Sequence, residues 1–126
     1  MVIKMKNKIL IVDDAKFART VLKKGLLNGN YTNIIEAGTA EEALELFEKE
    51  MPELTFLDIS LPDSDDLGLL QKLLNIRPEA KIVMCSALGQ NLIIRNALDK
   101  GAKDFIIKPF EEKQLLEITG KQLLQQ

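Results

Sequence analysis

Five short apolar runs recur along the chain, and between them the apolar residues fall at helical spacing. The first run is ILIV, Ile9 to Val12; the others lie in NIIEA, ELTFLDIS, AKIVMCSA and KDFIIK. A strand that is apolar at nearly every position needs cover on both faces, and strands joined by helices lie parallel. The chain is therefore expected to be α/β, a three-layer doubly wound fold around a five-stranded parallel sheet. Right-handed crossovers leave few strand orders, of which 2-1-3-4-5 is expected.

The helical stretches carry their own start and stop signals. Phe17, Val21, Leu22 and Leu26 mark an apolar pattern that stops at Asn28 to Asn30, where glycine and asparagine tolerate positive φ. Thr39 and Glu42 have capping-box spacing ahead of ALELFEKE. Pro78 restricts Arg77 and ends the helix LGLLQKLLNI, Gly101 closes NLIIRNALDK, and EEKQLLEITGKQLLQQ is the last helical stretch. No internal repeat beyond this alternation and no low-complexity segment occurs. Residues 1–6 read as a short N-terminal extension and residues 7–126 as one domain.

Composition narrows the chemistry. The 126 residues contain no histidine, which excludes Ser-His-Asp triads, Cys-His pairs and HExxH metal sites. Neither a P-loop nor G-x-G-x-x-G is present, which argues against a nucleotide- or flavin-binding module. The net charge is −2 with acids and bases interspersed, so neither nucleic acid nor a membrane is an expected partner. Cys85 is the only cysteine and reads as a small core hydrophobe in a reducing compartment. With no long apolar N-terminal stretch, the protein is expected to be cytoplasmic.

In a doubly wound sheet, ligands bind outside the carboxyl ends of the strands, near the point where the strand order reverses. Asp13 and Asp14 end the first strand, Asp58 the third, Ser86 the fourth and Lys108 the fifth. Each has a plainer reading alone: Asp14 as a helix cap, Asp58 as the start of a turn toward Pro62, Ser86 as a turn residue, Lys108 as a solvated strand end. Together they describe one acidic pocket. Three carboxylates with one lysine are under-neutralised, and hard oxygen ligands suit Mg²⁺. Asp58 is then a candidate nucleophile toward phosphorus, with Lys108 balancing the developing charge and Ser86 bonding a phosphate oxygen.

At these residues the sequence resembles the receiver domain of two-component response regulators. The carrying motifs are ILIVDD, FLDISLP, VMCSA and GAKDFIIKPF, spread from residue 8 to 110. The segments VDDAKFAR, MCSALGQ and GAKDFIIKPF are most similar to stand-alone chemotaxis response regulators. The resemblance implies the flavodoxin-like order 2-1-3-4-5, so that order is not an independent deduction. It further implies that Asp58 accepts a phosphoryl group from a sensor histidine kinase, with Mg²⁺ held by Asp13, Asp14, Asp58 and the backbone carbonyl of Ser60. Ser86 and Phe105 match its switch positions, and Lys108-Pro109 its cis peptide.

The resemblance also implies partner binding on the face made by the fourth helix, fifth strand and fifth helix. Ile94, Ala97 and Leu98 account for that helix's buried stripe, leaving Leu92 and Ile93 as surplus apolar side chains. Phe105, rotating inward as Ser86 moves, would alter this face. A static core aromatic is the alternative. A flagellar motor switch protein and a dephosphorylating protein are expected partners of a monomer that acts as a switch and not as a conventional enzyme.

Some positions depart from the family pattern. Asp66 stands where glycine is usual and Ser64 where a larger apolar residue is common; the extra acids Asp63, Asp65 and Asp66 read as solvated, an influence on Mg²⁺ affinity being the alternative. Ser86 replaces threonine and Phe105 replaces tyrosine. Ser60 and Leu88 are expected to tune phosphoryl hydrolysis. A relay receiver of another pathway is the second reading. A haloacid-dehalogenase-type phosphatase is a remote one, since Asp58-Ile59-Ser60 lacks its D-x-D motif.

Overall fold

The apolar runs become strands and the periodic stretches become helices, in strict alternation. In chain order these are β1 (Ile9–Val12), α1 (Lys16–Asn28), β2 (Ile34–Ala37), α2 (Ala40–Glu50), β3 (Leu54–Asp58), α3 (Gly68–Ile76), β4 (Ile82–Ser86), α4 (Asn91–Lys100), β5 (Asp104–Ile107) and α5 (Glu112–Leu124). This computed structural model describes residues 7–64 and 67–124. The expected extension at residues 1–6, and the loop acids Asp65 and Asp66, lie outside the described residues.

All strand pairs are parallel and the order is β2-β1-β3-β4-β5, as expected. Every residue of β1, β3 and β4 is buried, whereas the edge strands β2 and β5 are mostly half-buried. Alternate side chains feed two cores. Ile9, Ile11, Phe56, Val83 and Ile106 meet Leu22 and Leu26 of α1 and Leu115 of α5. Leu10, Val12, Leu57 and Met84 meet Phe47 of α2, Leu70 and Leu73 of α3, and Ile94 and Ala97 of α4. Helices on both faces explain why the central strands could be apolar at nearly every position.

The apolar residues of α1 are only partly buried, and the face of α4 differs from its sequence reading. Phe17 is 79% exposed and Val21 43% exposed; the buried stripe of α1 is Leu22, Gly25 and Leu26. A helical step of about 100° separates Val21 from Leu22, so only one of two neighbouring apolar stripes reaches the sheet and α5. In α4, Leu98 is partly exposed, while Ile93, expected as surplus surface, packs against the core. At the start of α2 Thr39 caps as expected, its Oγ1 accepting from Glu42 N at 3.1 Å. The reciprocal bond reaches back one residue further, with Gly38 N donating to Glu42 Oε1 at 2.8 Å. Among the described residues, no helix is long and apolar enough to cross a membrane.

Candidate functional site

The parallel register brings the polar strand ends to one edge. Val12 pairs with Leu57 and Asp58 with Cys85, so Asp13, Asp58 and Ser86 all lie at the carboxyl edge of adjacent strands. Carboxylate oxygens of Asp13, Asp14 and Asp58 lie within 4.8 Å of one another. Asp13 and Asp58 are buried, while Asp14 is exposed at the mouth. Lys108 Nζ, arriving from the end of β5, lies 2.6 Å from Asp13 Oδ2 and 3.5 Å from Asp58 Oδ1. The Lys108-Pro109 peptide is cis.

These acids are held by local backbone and not merely gathered. Asp13 Oδ1 accepts from Ala15 N at 2.9 Å, closing the turn into α1. The α1 N-cap position is Ala15 and carries no side-chain cap, so Asp14 does not serve as one. Ser60 N donates to Asp58 Oδ1 at 3.4 Å; Ser60 itself is exposed on the loop after β3. Arg19, which sequence reasoning passed over, donates from Nη1 to the Asp13 carbonyl at 2.6 Å and from Nε to Glu36 Oε1 at 3.1 Å. A Cβ on Gly38 would stand 3.2 Å from that guanidinium, so the glycine leaves Arg19 its space.

Burial pushes the Asp58 carboxyl above the usual carboxylate range, and the Asp13 charge adds to it, against the opposing Lys108 charge and Ser60 N–H. For Lys108, burial disfavours the charge, but the hydrogen bond to Asp13 and the charges of Asp58 and Asp13 outweigh it and raise the pKa. The pocket is thus short of positive charge with Lys108 already in place. Hard, converging oxygen ligands of this kind fit a divalent cation such as Mg²⁺.

Ser86, 1% exposed, holds its Oγ without a hydrogen-bond partner. Its carbonyl accepts from Lys108 N at 2.7 Å, which ties the end of β4 to the end of β5. A buried hydroxyl left unpaired costs about 1–3 kcal/mol, and such groups in native folds need an explanation.

A family model for the response regulator receiver domain matches residues 9–119. The chain belongs to the response regulator receiver family. Receiver domains of two-component systems are signalling switches, not classical enzymes, and work with a phosphodonor kinase. Two relatives from Bacillus subtilis (strain 168) align over nearly their whole length. Protein CcdB is 40% identical over 91% of this chain and 96% of its own. Chemotaxis protein CheY is 39% identical over 94% of this chain and 99% of its own. The crystal structure of the receiver domain of NtrX from Brucella abortus superposes with a TM-score of 0.87 at 33% identity, covering 94% of this chain and 99% of that one.

The receiver's other expected residues lie on β5, on α4 and on the loops after β3 and β4. Phe105 is half-buried and lines a groove of about 350 Å³ between α4 and β5, with Asn91, Ile94, Arg95, Leu98 and Ile107. Leu92 is 70% exposed and does not line that groove. Leu88 is exposed beyond β4. Asp63 is exposed, as read from the sequence, and in addition accepts from two backbone N–H groups of α2.

Proposed function

We propose that this receiver accepts a phosphoryl group on Asp58 and that the resulting acyl phosphate reorganises its α4–β5–α5 face. The observation that carries the reading is the Lys108 ammonium 3.5 Å from Asp58 Oδ1, inside a three-carboxylate cluster with oxygens within 4.8 Å. Asp13, Asp14, Asp58 and the Ser60 carbonyl would hold Mg²⁺, which when bound supplies electrostatic stabilisation of phosphoryl oxygens. An Asp58 oxygen forms the bond to phosphorus as the P–N bond to the donor's phosphohistidine breaks, its electron pair returning to the imidazole. Lys108 balances charge on the transferred group, and the unpartnered Ser86 hydroxyl donates to one of its oxygens.

Movement of Ser86 toward that oxygen alters the space beside β4, into which Phe105 rotates, changing the groove with Leu98 and Ile94. Leu92 offers exposed apolar surface beside it. Ser60 and Leu88 border the approach to Asp58 and Ser86 and tune hydrolysis of the acyl phosphate. The whole-length similarity to chemotaxis protein CheY supports a cytoplasmic chemotaxis switch, monomeric, with a flagellar motor switch protein and a dephosphorylating protein as partners.

Intact mass after incubation with Mg²⁺ and acetyl phosphate tests the central claim. One phosphoryl adduct in wild type, lost in Asp58→Asn, is expected; absence of the adduct, or its survival in the variant, overturns the reading. Binding of the phosphorylated protein to a purified motor switch protein tests the pathway, and equal binding with and without phosphate defeats that assignment.

A further inference from the structure

The loop between β3 and α3 carries Ser60 and is anchored on both sides of it. Its first residue, Ile59, is buried and donates to the Cys85 carbonyl at 3.1 Å; Leu61 is buried in the core beneath α2 and α3. Beyond Pro62 the loop reaches across to a different helix. Asp63 Oδ1 accepts from Ala40 N at 2.9 Å, and Asp63 Oδ2 accepts from Ala40 N at 3.0 Å and Glu41 N at 3.3 Å. With Thr39 Oγ1 taking Glu42 N, the first three N–H groups of α2 are satisfied by two separate loops. The Ala40 N–H, with that of Glu41, holds the Asp63 carboxyl below the usual carboxylate range, so the bridge is ionic at neutral pH.

The span from Leu61 to Asp63 is therefore pinned at both ends, by a core side chain and by a charged bridge to α2. Ser60 lies between the buried Ile59 and this pinned span and has few conformations left. We propose that Asp63 is a positioning residue for the divalent cation: its bridge to α2 fixes the loop that presents the Ser60 carbonyl beside Asp58. This rests on the proposed Mg²⁺ site and assigns it a determinant outside the ligand set. Groups that orient metal ligands typically change affinity 10–100-fold when removed. Asp63 acts through three residues of chain, so a smaller effect, about three- to tenfold, is expected.

Isothermal titration with MgCl₂ on the full chain, with urea unfolding of each protein to confirm that it is folded at the titration temperature, tests this. Three variants separate the causes. Asp63→Ala removes the bridge and its charge; Asp63→Asn keeps an acceptor for Ala40 N but not the charge; Thr39→Ala weakens the same helix end without touching the loop. The expected result is Mg²⁺ binding weakened about three- to tenfold in Asp63→Ala but within about twofold of wild type in the other two. Equal weakening in Asp63→Asn makes the effect one of charge alone, and equal weakening in Thr39→Ala makes it one of helix capping; either overturns the proposal. So does unchanged affinity in Asp63→Ala. Failure of wild type to bind Mg²⁺ overturns the metal site itself, a distinguishable outcome.

Discussion

The ammonium of Lys108 lies 2.6 Å from Oδ2 of Asp13, to which it donates a charge-assisted hydrogen bond. The lysine thus competes with a divalent cation for the same carboxylate. Two unit charges ~4 Å apart interact by about 1 kcal/mol in water and about 4 at an effective dielectric of ~20. Because Lys108 is one-third exposed, the lower figure applies. Lys108→Ala is expected to bind Mg²⁺ about fivefold tighter by calorimetry while labelling more slowly with acetyl phosphate at saturating Mg²⁺. Weaker Mg²⁺ binding in this variant would contradict the geometry.

Asp58 is a carboxylate whose burial raises its pKa, so the folded state holds its proton more tightly than the unfolded chain does. The sign follows: stability from this group is full below the unfolded carboxyl pKa and is lost as pH rises through the higher folded value. In chelator, Asp58→Asn escapes that loss. The variant is expected to match wild type below the unfolded carboxyl pKa and to exceed it at pH 7 in urea unfolding, and Mg²⁺ should narrow the gap. A gap that widens toward acid would refute the assignment.

Gly25 sits where α1 crosses α5, and a Cβ there would stand 2.8 Å from Leu115 Cδ2, a side chain with no exposure. Alanine gains about 1 kcal/mol over glycine in a helix interior, whereas overpacking a core costs about 1–3 kcal/mol. The close approach wins. Gly25→Ala is expected to lose about 1 kcal/mol of unfolding free energy, and a stabilised variant would show that the two helices separate at no cost.

Burial pushes the Cys85 thiol up to about 12, and the side chain is 5% exposed. Since the thiolate is the reactive form, native protein at pH 8 should alkylate with iodoacetamide about a thousandfold more slowly than protein in urea. Mass spectrometry after timed quenching measures both rates. Comparable rates would mean that the sheet opens readily at β4.

Much of this was legible because burial on two faces writes itself into sequence. ILIV at residues 9–12 and IVMC at 82–85 admit no polar residue, since helices cover both sides of β1 and β4. Asp13, Asp58, Ser86 and Lys108 were visible as a group because each directly ends or follows a strand, and parallel strands put all their carboxyl ends on one edge. Phe17 and Val21 correctly marked α1 as a helix, but their exposure was not legible, because periodicity reports an apolar stripe without saying what covers it. Arg19 and Asp63 gave no local signal, since each has partners on other elements, Glu36 on β2 and the N-terminus of α2.

The linear chain alone determined the α/β alternation and the identity of the polar strand ends, because backbone pairing and side-chain burial act over a few residues. Folding in three dimensions decided the rest: that Lys108 reaches Asp13 across 95 positions, that the Ser86 hydroxyl is left buried without a hydrogen-bond partner, and that Asp63 closes α2. Those relations depend on strand order and on which helix end meets which loop. Distances of a few ångströms between remote segments are set by the packed whole, and no local pattern of residues encodes them.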